Sequence, residues 1–517
     1  MGRATTAPDA RRTPLPAGCT LRLHPGTRVH EGGRVLAGGR PLRVLSLAAP
    51  AAAALDRWRA GHPVSDDRTE RLVGRRLVGA GLAHSVPVGE RHVPEDVTVV
   101  VPTRDRATEV ARLAGALAGM RVVVVDDGSR GPSAVARVAA RAGADLVVLD
   151  HNVGPAGARN AGLLRVTTSL VAFVDSDCRP ETGWLGPVLG HFDDPMVAAV
   201  APRVVPEPVA GAMGRYERAR SPLDRGREGG LVGPRAAIPF VPAAALVVRA
   251  ELARAMAFDE GLRAGEDVDL VWRLAEAGWW VRYEPEARVR HTVRGTWAAG
   301  AAQRFGYGRS AGPLAVRHPG ALVPARLTGA HLVLVALAFA ARPRSATGHA
   351  ETADAPWALG AAGWLTGTVA VSVAAWLTAT VAVARRLRGR VGHPARLAVV
   401  MSGRAVVPGL LGALGGLARA WGPALAVLAA FRSTRRLAAT VLLAPAIADW
   451  VAAPPGTGGP VTYVVAHVAD DVAYGLGVWV GCAEARTVAP LVPLVAWSLR
   501  QGERGTPSPE APGGAVT

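Results

Sequence analysis

The chain has 517 residues, of which 50% are hydrophobic and 19% are charged, and its formal net charge is +18. At about 150 residues per domain, this length excludes a single small module, and the apolar composition excludes a disordered chain. The basic residues other than histidine are all arginines, which are dispersed and not interleaved with aromatic residues, so we predict no nucleic-acid partner.

The first ninety residues predict a tail followed by a small module. Residues 1–20 are rich in Arg and Pro and contain no apolar stretch, which indicates a flexible tail without a secretory signal. In residues 21–90, the paired glycines of GGRVLAGG indicate a tight β-hairpin, and two segments with helical spacing follow. This order fits a winged-helix-like module. Such modules bind DNA or serve in peptide recognition by adding a strand, and simple packing on a neighbouring domain is a further open alternative.

Strands and helices alternate from Val97 to about Gly320, as in an α/β fold with a parallel sheet. The predicted strands are VTVVVPT, RVVVVDD, ADLVVL and LVAFVD, and a helical stretch follows each of the first three. In such sheets, ligands bind beyond the carboxyl ends of the strands. The polar residues at those ends are therefore the candidate site residues.

Acidic side chains follow three of these strands. Asp105 comes after the first strand, Asp126 and Asp127 end the second, and Asp175 and Asp177 follow the fourth. An isolated Asp at a strand end is usually a turn former or a helix cap, but the repetition favours convergence. In an extended segment, Asp175 and Asp177 lie on the same side, where they can share a divalent cation with phosphate oxygens.

The segments VVVPTRDR, VVVVDDGS, HNVGPAGARNAG, FVDSDC and GEDVDLVWRL, in this order and spacing, resemble the family-2 nucleotide-sugar glycosyltransferases of GT-A fold. The resemblance covers residues 97–320 and implies a GT-A Rossmann-like mixed sheet with flanking helices. It also implies a nucleotide-sugar donor and Mg²⁺ or Mn²⁺, which would stabilise the leaving diphosphate. The implied nucleotide-binding residues are Pro102, Thr103, Asp105, Asp126, Asp127, Gly154, Arg159 and Asn160. The implied metal ligands are Asp175, Asp177 and His291.

The segment GEDVDLVWRL begins a predicted amphipathic helix with an acidic pair. Glu266 and Asp267 fall in its first turn, where the helix dipole favours anions, so helix capping alone is an open alternative. The resemblance implies that the pair lies in the acceptor site as catalytic residues. Asp267 would remove the acceptor hydroxyl proton while the oxygen attacks the anomeric carbon with inversion. Asp269 is expected to make a structural contact or to assist.

The segment QRFGYGR has two open interpretations. Arg304, Tyr307 and Arg309 either clamp a diphosphate or stack on a sugar, or they form a linker to the apolar region that follows.

Residues 321–500 predict an apolar helical, membrane-associated region, and residues 501–517 a disordered tail. Residues 355–384 contain no formal charge and exceed the roughly 20 residues that a membrane helix needs. Asp470 and Asp471 interrupt a later apolar segment, which favours packing against protein over a lipid-facing span. The three cysteines are far apart and lack metal-ligand spacing, which fits a reducing compartment. We therefore expect a location at the cell membrane with the catalytic domain in the cytoplasm.

The three-part layout resembles the mycofactocin-system subgroup of this family, which is associated with attaching glucose units to a redox cofactor made from a ribosomal peptide. The resemblance implies sugar transfer, with glucose expected, from a UDP donor to that peptide-derived cofactor or its precursor. Two alternatives are open: a membrane-linked transferase for a cell-envelope glycan or lipid, and a non-catalytic binding or scaffold protein. The acidic pair weighs against the scaffold. A dinucleotide oxidoreductase is disfavoured because no G-x-G-x-x-G opens the first helix.

Overall fold

The computed structural model describes residues 6–39, 42–87, 91–328, 376–389 and 391–496. The chain forms two compact units, one of Met1–Leu322 with Ala446–Ala489 and one of Val323–Pro445 with Pro490–Thr517. The first unit contains an N-terminal module, residues 6–87, and a central α/β domain, residues 97–322. The expected tail 501–517 lies outside the described residues.

The N-terminal module contains two small antiparallel sheets and two helices in its described part. Its elements are β1 (Thr20–Leu23), β2 (Arg28–His30), β3 (Val35–Gly38), β4 (Arg43–Ser46), α1 (Ala49–Arg59), α2 (Arg68–Gly79) and β5 (Ala83–Val86). β1 pairs with β5, and β3 lies between β2 and β4. The turn between β2 and β3 has positive φ at Gly32 and Gly33, which glycine adopts without steric cost. The predicted hairpin is confirmed.

The segment before β1 is packed against the module, so the flexible tail predicted for residues 1–20 is wrong for its described part. Leu15 is fully buried and Cys19 is buried. The Arg71 side chain donates to the Leu15 carbonyl, and the Arg75 side chain donates to the carbonyls of Thr13 and Pro14. The arginines of α2 therefore satisfy the backbone of this segment, which composition alone did not indicate.

A mixed nine-stranded sheet forms the centre of the α/β domain and confirms the predicted fold class. Its strands are β6 (Val97–Thr103), β7 (Arg121–Asp127), β8 (Asp145–Leu149), β9 (Leu170–Val174), β10 (Cys178–Pro180), β11 (Val197–Pro206), β12 (Gly230–Val232), β13 (Ala245–Arg249) and β14 (Trp280–His291). The order is β10-β14-β11-β13-β9-β6-β7-β8, and β12 pairs with β14. β6, β7, β8 and β9 run parallel, and β13 is antiparallel to both of its neighbours.

Helices cover this sheet because its strands are apolar on both faces. Each residue of β9 is buried, as expected for a central strand between two helical layers. The helices are α3 (Ala107–Ala116), α4 (Pro132–Arg141), α5 (Gly154–Leu163), α6 (Leu185–Leu189), α7 (Gly211–Arg220), α8 (Ala250–Met256), α9 (Glu266–Glu276), α10 (Trp297–Arg309) and α11 (Ala311–Arg317). The carboxyl ends of β6, β7 and β9 lie at one edge of the sheet, where the predicted site residues follow them.

The helix Pro460–Glu484, called the return helix below, packs on α7, α10 and α11 and completes the first unit. Asp470 in its middle accepts hydrogen bonds from the Tyr216 hydroxyl, at 2.9 Å, and from Arg304, at 3.2 Å. Asp471 forms an ion pair with Arg220 at 3.3 Å. These charges explain why an apolar helix packs on the α/β domain. The packing against protein that Asp470 and Asp471 predict is confirmed, whereas the grouping of 446–489 with the rest of the apolar region 321–500 is wrong.

The second unit contains the remaining apolar helices. The helix Pro394–Leu428 is long and apolar enough to cross a membrane, and it alone meets that criterion in the described ranges. Another helix covers 376–387, and the strand Arg326–Thr328 pairs in parallel with Leu494–Ala496. Of the uncharged segment predicted at 355–384, positions 355–375 lie outside the described residues. Length and composition therefore identify one candidate span in this unit.

The packing of the return helix on α10 depends on glycines. A Cβ atom at Gly308 would lie 2.0 Å from the Tyr474 carbonyl oxygen. We predict that Gly308→Ala destabilises the protein by about 1–3 kcal/mol, because backbone atoms of the two helices must separate. Thermal unfolding of the purified protein measures this effect.

Gly306 on the same helix provides the matched control. A Cβ atom there meets no atom within 4 Å, so Gly306→Ala is expected to be neutral or slightly stabilising. Equal melting temperatures for the two variants would contradict the close approach at Gly308.

Candidate active site

The strand ends predicted to carry the site lie next to one another. Thr103 of β6 is in register with Asp126 of β7, and Pro102 with Val125. Asp175 directly follows β9, which pairs with the other side of β6. The predicted convergence of acidic residues at one sheet edge is therefore present.

A buried pair of unpartnered oxygens lies at the ends of β6 and β7. Asp126 is fully buried; its Oδ1 accepts from the Ser129 amide at 3.0 Å, whereas its Oδ2 has no hydrogen-bond partner among the described residues. Thr103 Oγ1 is also buried and has no hydrogen-bond partner among the described residues. Because a buried unsatisfied polar atom costs about 1–3 kcal/mol, these oxygens indicate a binding site for a ligand with a hydrogen-bond donor.

Asp105 and Asp127 hold the backbone of two loops. Asp105 has a φ of 55°, and its Oδ1 accepts from the Arg130 amide at 2.8 Å. The two carboxylate oxygens of Asp127 accept from the amides of Val153, at 2.7 Å, and Gly154, at 3.0 Å. Asp127 therefore fixes the loop that opens α5, and its carboxylate acts on the site through that loop.

Arg159 on α5 connects the two acidic groups of the site. Its guanidinium donates to Asp175 at 2.7 Å and to Glu266 at 2.8 Å, and its side chain is buried. Burial alone would lower the pKa of Arg159, but the carboxylates of Asp175 and Glu266 raise it above its ordinary value. The guanidinium is therefore a permanent cation between β9 and α9.

Asn160, the next residue on α5, holds a loop in place. Its amide nitrogen donates to the Phe258 carbonyl and to Glu260, both at 2.9 Å, and its amide oxygen accepts from the Phe258 amide. The Phe258 ring lies under the Arg159 guanidinium at 5.3 Å. Asn160 therefore helps to fix Phe258, whose ring contacts the Arg159 guanidinium.

The predicted metal residues form two contacts at the sheet edge. Asp177 Oδ2 accepts from Arg106 at 2.7 Å, and Asp177 Oδ1 lies 3.5 Å from His291 Nε2. β10 pairs with the end of β14 and so brings these two residues together. Burial lowers the pKa of His291, although Asp177 and Asp175 oppose the change, so the imidazole is neutral at pH 7. Burial raises the pKa of Asp175, and Arg159 opposes that rise.

This donor set fits a cation that is shared with a substrate. In the described ranges, no three His, Cys, Asp or Glu side chains are grouped as a self-contained metal site. Mg²⁺ is commonly held by one or two carboxylates together with phosphate oxygens, and a neutral imidazole suits Mn²⁺. Asp175, Asp177 and His291 would hold the cation. When bound, it would neutralise charge on a diphosphate.

Helix α9 presents the acidic pair in two different environments. Glu266 is buried and held by Arg159, whereas Asp267 is partly exposed. Asp267 Oδ2 accepts from the Ala243 amide at 3.1 Å, and Oδ1 accepts from the Val268 amide at 2.8 Å. Burial, assisted by the Glu266 charge, raises the pKa of Asp267 to about 6. A carboxylate with this pKa is well matched to proton transfer near neutral pH.

Asp269 has a structural environment. It is fully buried and accepts from Arg273, at 2.7 Å, Arg317, at 2.6 Å, and His318, at 3.1 Å. Burial would raise its pKa, but these hydrogen bonds lower it. Asp269 therefore anchors α9 to α11.

The segment QRFGYGR contributes one residue near the acidic pair. Arg304 is paired with Glu217 and Asp470, and Arg309 with Glu484, so carboxylates of the protein already engage both arginines. Tyr307 accepts a hydrogen bond from Gln303 at 3.0 Å. Burial raises the pKa of Tyr307, and the Asp267 charge raises it further.

Sequence reasoning missed two features of this site. Arg106 was not singled out, although it pairs with Asp177, and the Arg159 bridge joins segments 107 positions apart in sequence. The only available signal for Arg106 was its position directly after the strand-end Asp105. No local pattern identifies the partners of Arg159.

Comparison with known proteins identifies the family of the chain. The model of glycosyl transferase family 2 matches residues 98–252. Over 500 residues, the chain is 38% identical to the pre-mycofactocin glycosyltransferase of Mycobacterium tuberculosis, covering 93% of this chain and 99% of the relative. The chain belongs to glycosyltransferase family 2. A more distant relative is the succinoglycan biosynthesis protein ExoU of Rhizobium meliloti, at 32% identity over 36% of this chain and 58% of that protein.

A solved structure is also similar to this glycosyltransferase. It is the mannosyltransferase PcManGT from Pyrobaculum calidifontis in complex with GDP-Man and Mn²⁺, at 20% identity and a TM-score of 0.33. The similarity covers 78% of this chain and 95% of that chain.

The Arg159 bridge generates a test of the site. We predict that Arg159→Met destabilises this glycosyltransferase by about 3 kcal/mol, because Asp175 and Glu266 lose their counter-charge in a buried setting. Chemical denaturation measures the loss.

Arg112→Met is the matched control, because Arg112 lies on the exposed side of α3. An exposed substitution of this kind is expected to change stability by less than about 0.5 kcal/mol. Equal denaturation midpoints for the two variants would show that the buried bridge does not stabilise the fold.

Proposed function

We propose that this glycosyltransferase moves glucose from UDP-glucose to the mycofactocin precursor, with inversion at the anomeric carbon. The Asp175–Arg159–Glu266 bridge carries the proposal, because it holds the strand-end acids next to the helix that carries Asp267. A donor diphosphate would lie at the strand-end acids, and an acceptor hydroxyl would lie at Asp267. The Arg159 guanidinium would then lie between donor and acceptor.

The donor assignment rests on Asp126. Its buried Oδ2 is an acceptor that lacks a donor in the described structure. Uracil has an N3–H group of the kind that satisfies such an oxygen, and the buried position would exclude water from the contact. This supports a uridine nucleotide as the donor's leaving group.

Divalent-metal dependence follows from the charge of that leaving group. Asp175, Asp177 and neutral His291 are oxygen and nitrogen donors suited to Mg²⁺ or Mn²⁺. Arg106 pairs with Asp177, and Arg159 pairs with Asp175. These ion pairs would hold the two carboxylates in position in the absence of donor.

Asp267 is proposed as the general base. Its raised pKa keeps it ionised at pH 7 while making it a better proton acceptor than an ordinary Asp carboxylate. Direct attack of the activated hydroxyl on the anomeric carbon inverts its configuration. Glu266 is a positioning residue in this scheme, because Arg159 holds its carboxylate.

The acceptor assignment rests on the 38% identity to the pre-mycofactocin glycosyltransferase, which extends over 93% of the chain. Attachment to the cell membrane, with the catalytic unit in the cytoplasm, is part of the proposal. The helix Pro394–Leu428 and the net charge of +18, which favours anionic lipid surfaces, support it.

Incubation of the full-length protein with UDP-glucose, Mn²⁺ and either a premycofactocin aglycone or a lipid extract tests the proposal. We expect a hexosylated aglycone by mass spectrometry, and chelation of the metal is expected to abolish it. Transfer to lipid alone would overturn the cofactor assignment. Undiminished transfer after chelation would overturn the metal assignment.

Substitution of the proposed base provides a second test. Asp267→Asn is expected to lower kcat by about 10²–10⁴-fold while leaving UDP affinity unchanged, because the amide cannot accept the acceptor's proton. Glu276→Gln removes an exposed carboxylate from the same helix and is expected to leave kcat near the wild-type value.

The pH profile separates a base from a structural carboxylate. Because the active form of Asp267 is ionised and its pKa is about 6, wild-type kcat should rise with pH across this value and level off above it. A wild-type rate that is flat between pH 5 and 7 would argue against this role.

A further inference from the structure

A cavity of about 580 Å³ lies between the N-terminal module and the central α/β domain. The module contributes residues of the segment before β1, of the start of α2 and of β5, and the α/β domain contributes Gly190–Val197 and Arg282. Apolar groups, among them Pro14, Pro16 and Pro195, alternate with charged ones. This size and mixed lining are those of a small-molecule or peptide site.

The cavity lies at the sheet edge opposite the candidate active site. Val197 begins β11 and Arg282 is near the start of β14, and these two strands run parallel. His291, a proposed metal ligand, ends β14 nine positions further on. At about 3.3 Å per residue, the two ends of this strand are about 30 Å apart. The cavity is therefore separate from the site of the chemistry.

Arg282 is a buried cation without a direct ion pair among the described residues. It is 3% exposed, its two terminal nitrogens donate to Ser85 Oγ and to the Ser85 carbonyl, both at 3.1 Å, and its Nε has no hydrogen-bond partner. Burial lowers the pKa of Arg282, and the charges of Asp194 and Glu284 oppose this change without reversing it. A buried charge without a direct partner is costly, which favours a ligand that supplies one.

The neighbouring Arg75 shows what a structural arginine looks like in this interface. It forms a bidentate ion pair with Asp194, at 2.7 and 2.8 Å, and its guanidinium lies over the Trp280 ring at 4.4 Å. Arg71, on the module's side, has a partner in Asp66 at 3.5 Å. Arg282 therefore differs from both in having no carboxylate within ion-pair distance among the described residues.

Asp193 provides the complementary group. It also lines the cavity, and its buried Oδ1 has no hydrogen-bond partner in the described structure. A bare phosphate would satisfy Arg282 but would be repelled by Asp193. A ligand that carries both a carboxylate and N–H donors would satisfy both residues.

We propose that this cavity is a binding site for a short peptide, with a carboxylate of the peptide paired with Arg282 and an N–H group donated to Asp193. A role as a docking site for a peptide-linked acceptor rests on the proposed function, whereas the peptide binding itself does not. Because the cavity and the catalytic edge are about 30 Å apart along β14, an extended peptide of about nine residues spans the distance.

Isothermal titration calorimetry on the full-length protein tests the proposal, with trialanine, its C-terminal amide and inorganic phosphate as probes. We expect trialanine to bind, and the amide to bind at least about tenfold more weakly because it lacks the carboxylate for Arg282. Binding of phosphate as tight as that of trialanine would overturn the peptide class. No trialanine binding at millimolar concentrations would overturn the site.

Three variants locate the site. Arg282→Gln should weaken trialanine binding by about tenfold or more and abolish the difference between trialanine and its amide. Ala17→Trp, at an exposed position of the lining, should block binding without disturbing the buried charges. Arg22→Gln removes an equally basic but exposed side chain from the same module and should have no effect. Wild-type trialanine affinity in both cavity variants would overturn the assignment.

UDP binding measured in the same preparations separates the two proposals. If the wild-type protein binds UDP but not trialanine, the result would count against the cavity alone. Retained trialanine binding without any UDP binding would count against the proposed donor and leave the peptide site in place.

Discussion

The buried Arg159 guanidinium is the interaction on which the rest of the site depends. It pairs with Asp175 directly after β9 and with Glu266 at the start of α9, a strand end and a helix start that are far apart in sequence. Because an unpaired charge at this depth is costly, the three groups define one arrangement of strand, loop and helix. Asn160 and Phe258 then restrict the guanidinium from the side. Asp267 takes its position from this frame.

Two kinds of carboxylate result from that frame. Asp105, Asp127 and Asp269 use their oxygens to hold loops and helices, whereas Asp126 retains a buried oxygen without a hydrogen-bond partner in the described structure. Residue type alone does not separate the two kinds. Their hydrogen-bond partners do.

The local part of this architecture was predictable from sequence, and the long-range part was not. Strand β9 is continuously apolar and helix α9 has a helical apolar period, and the clustering of the acids after the strands follows from the geometry of a parallel sheet. The Arg159 bridge and the Asp470–Arg304 pair join distant segments, so no local pattern reports them. The segment before β1 was expected to be flexible because its composition is polar, but arginines of α2 bind its carbonyls. Its order therefore comes from tertiary contacts.

The position of the return helix has a consequence for how the chain reaches its native state. Met1–Leu322 and Ala446–Ala489 form one compact unit, with the apolar residues 323–445 synthesised between them. Asp470 and Asp471, which contact Tyr216, Arg220 and Arg304, therefore leave the ribosome long after these three residues. Until then, Arg220 lacks the carboxylates with which it pairs, and Arg304 has Glu217 but not Asp470. A premature stop codon anywhere before Ala446 is thus expected to yield an aggregation-prone product, even though it retains every residue of the proposed active site.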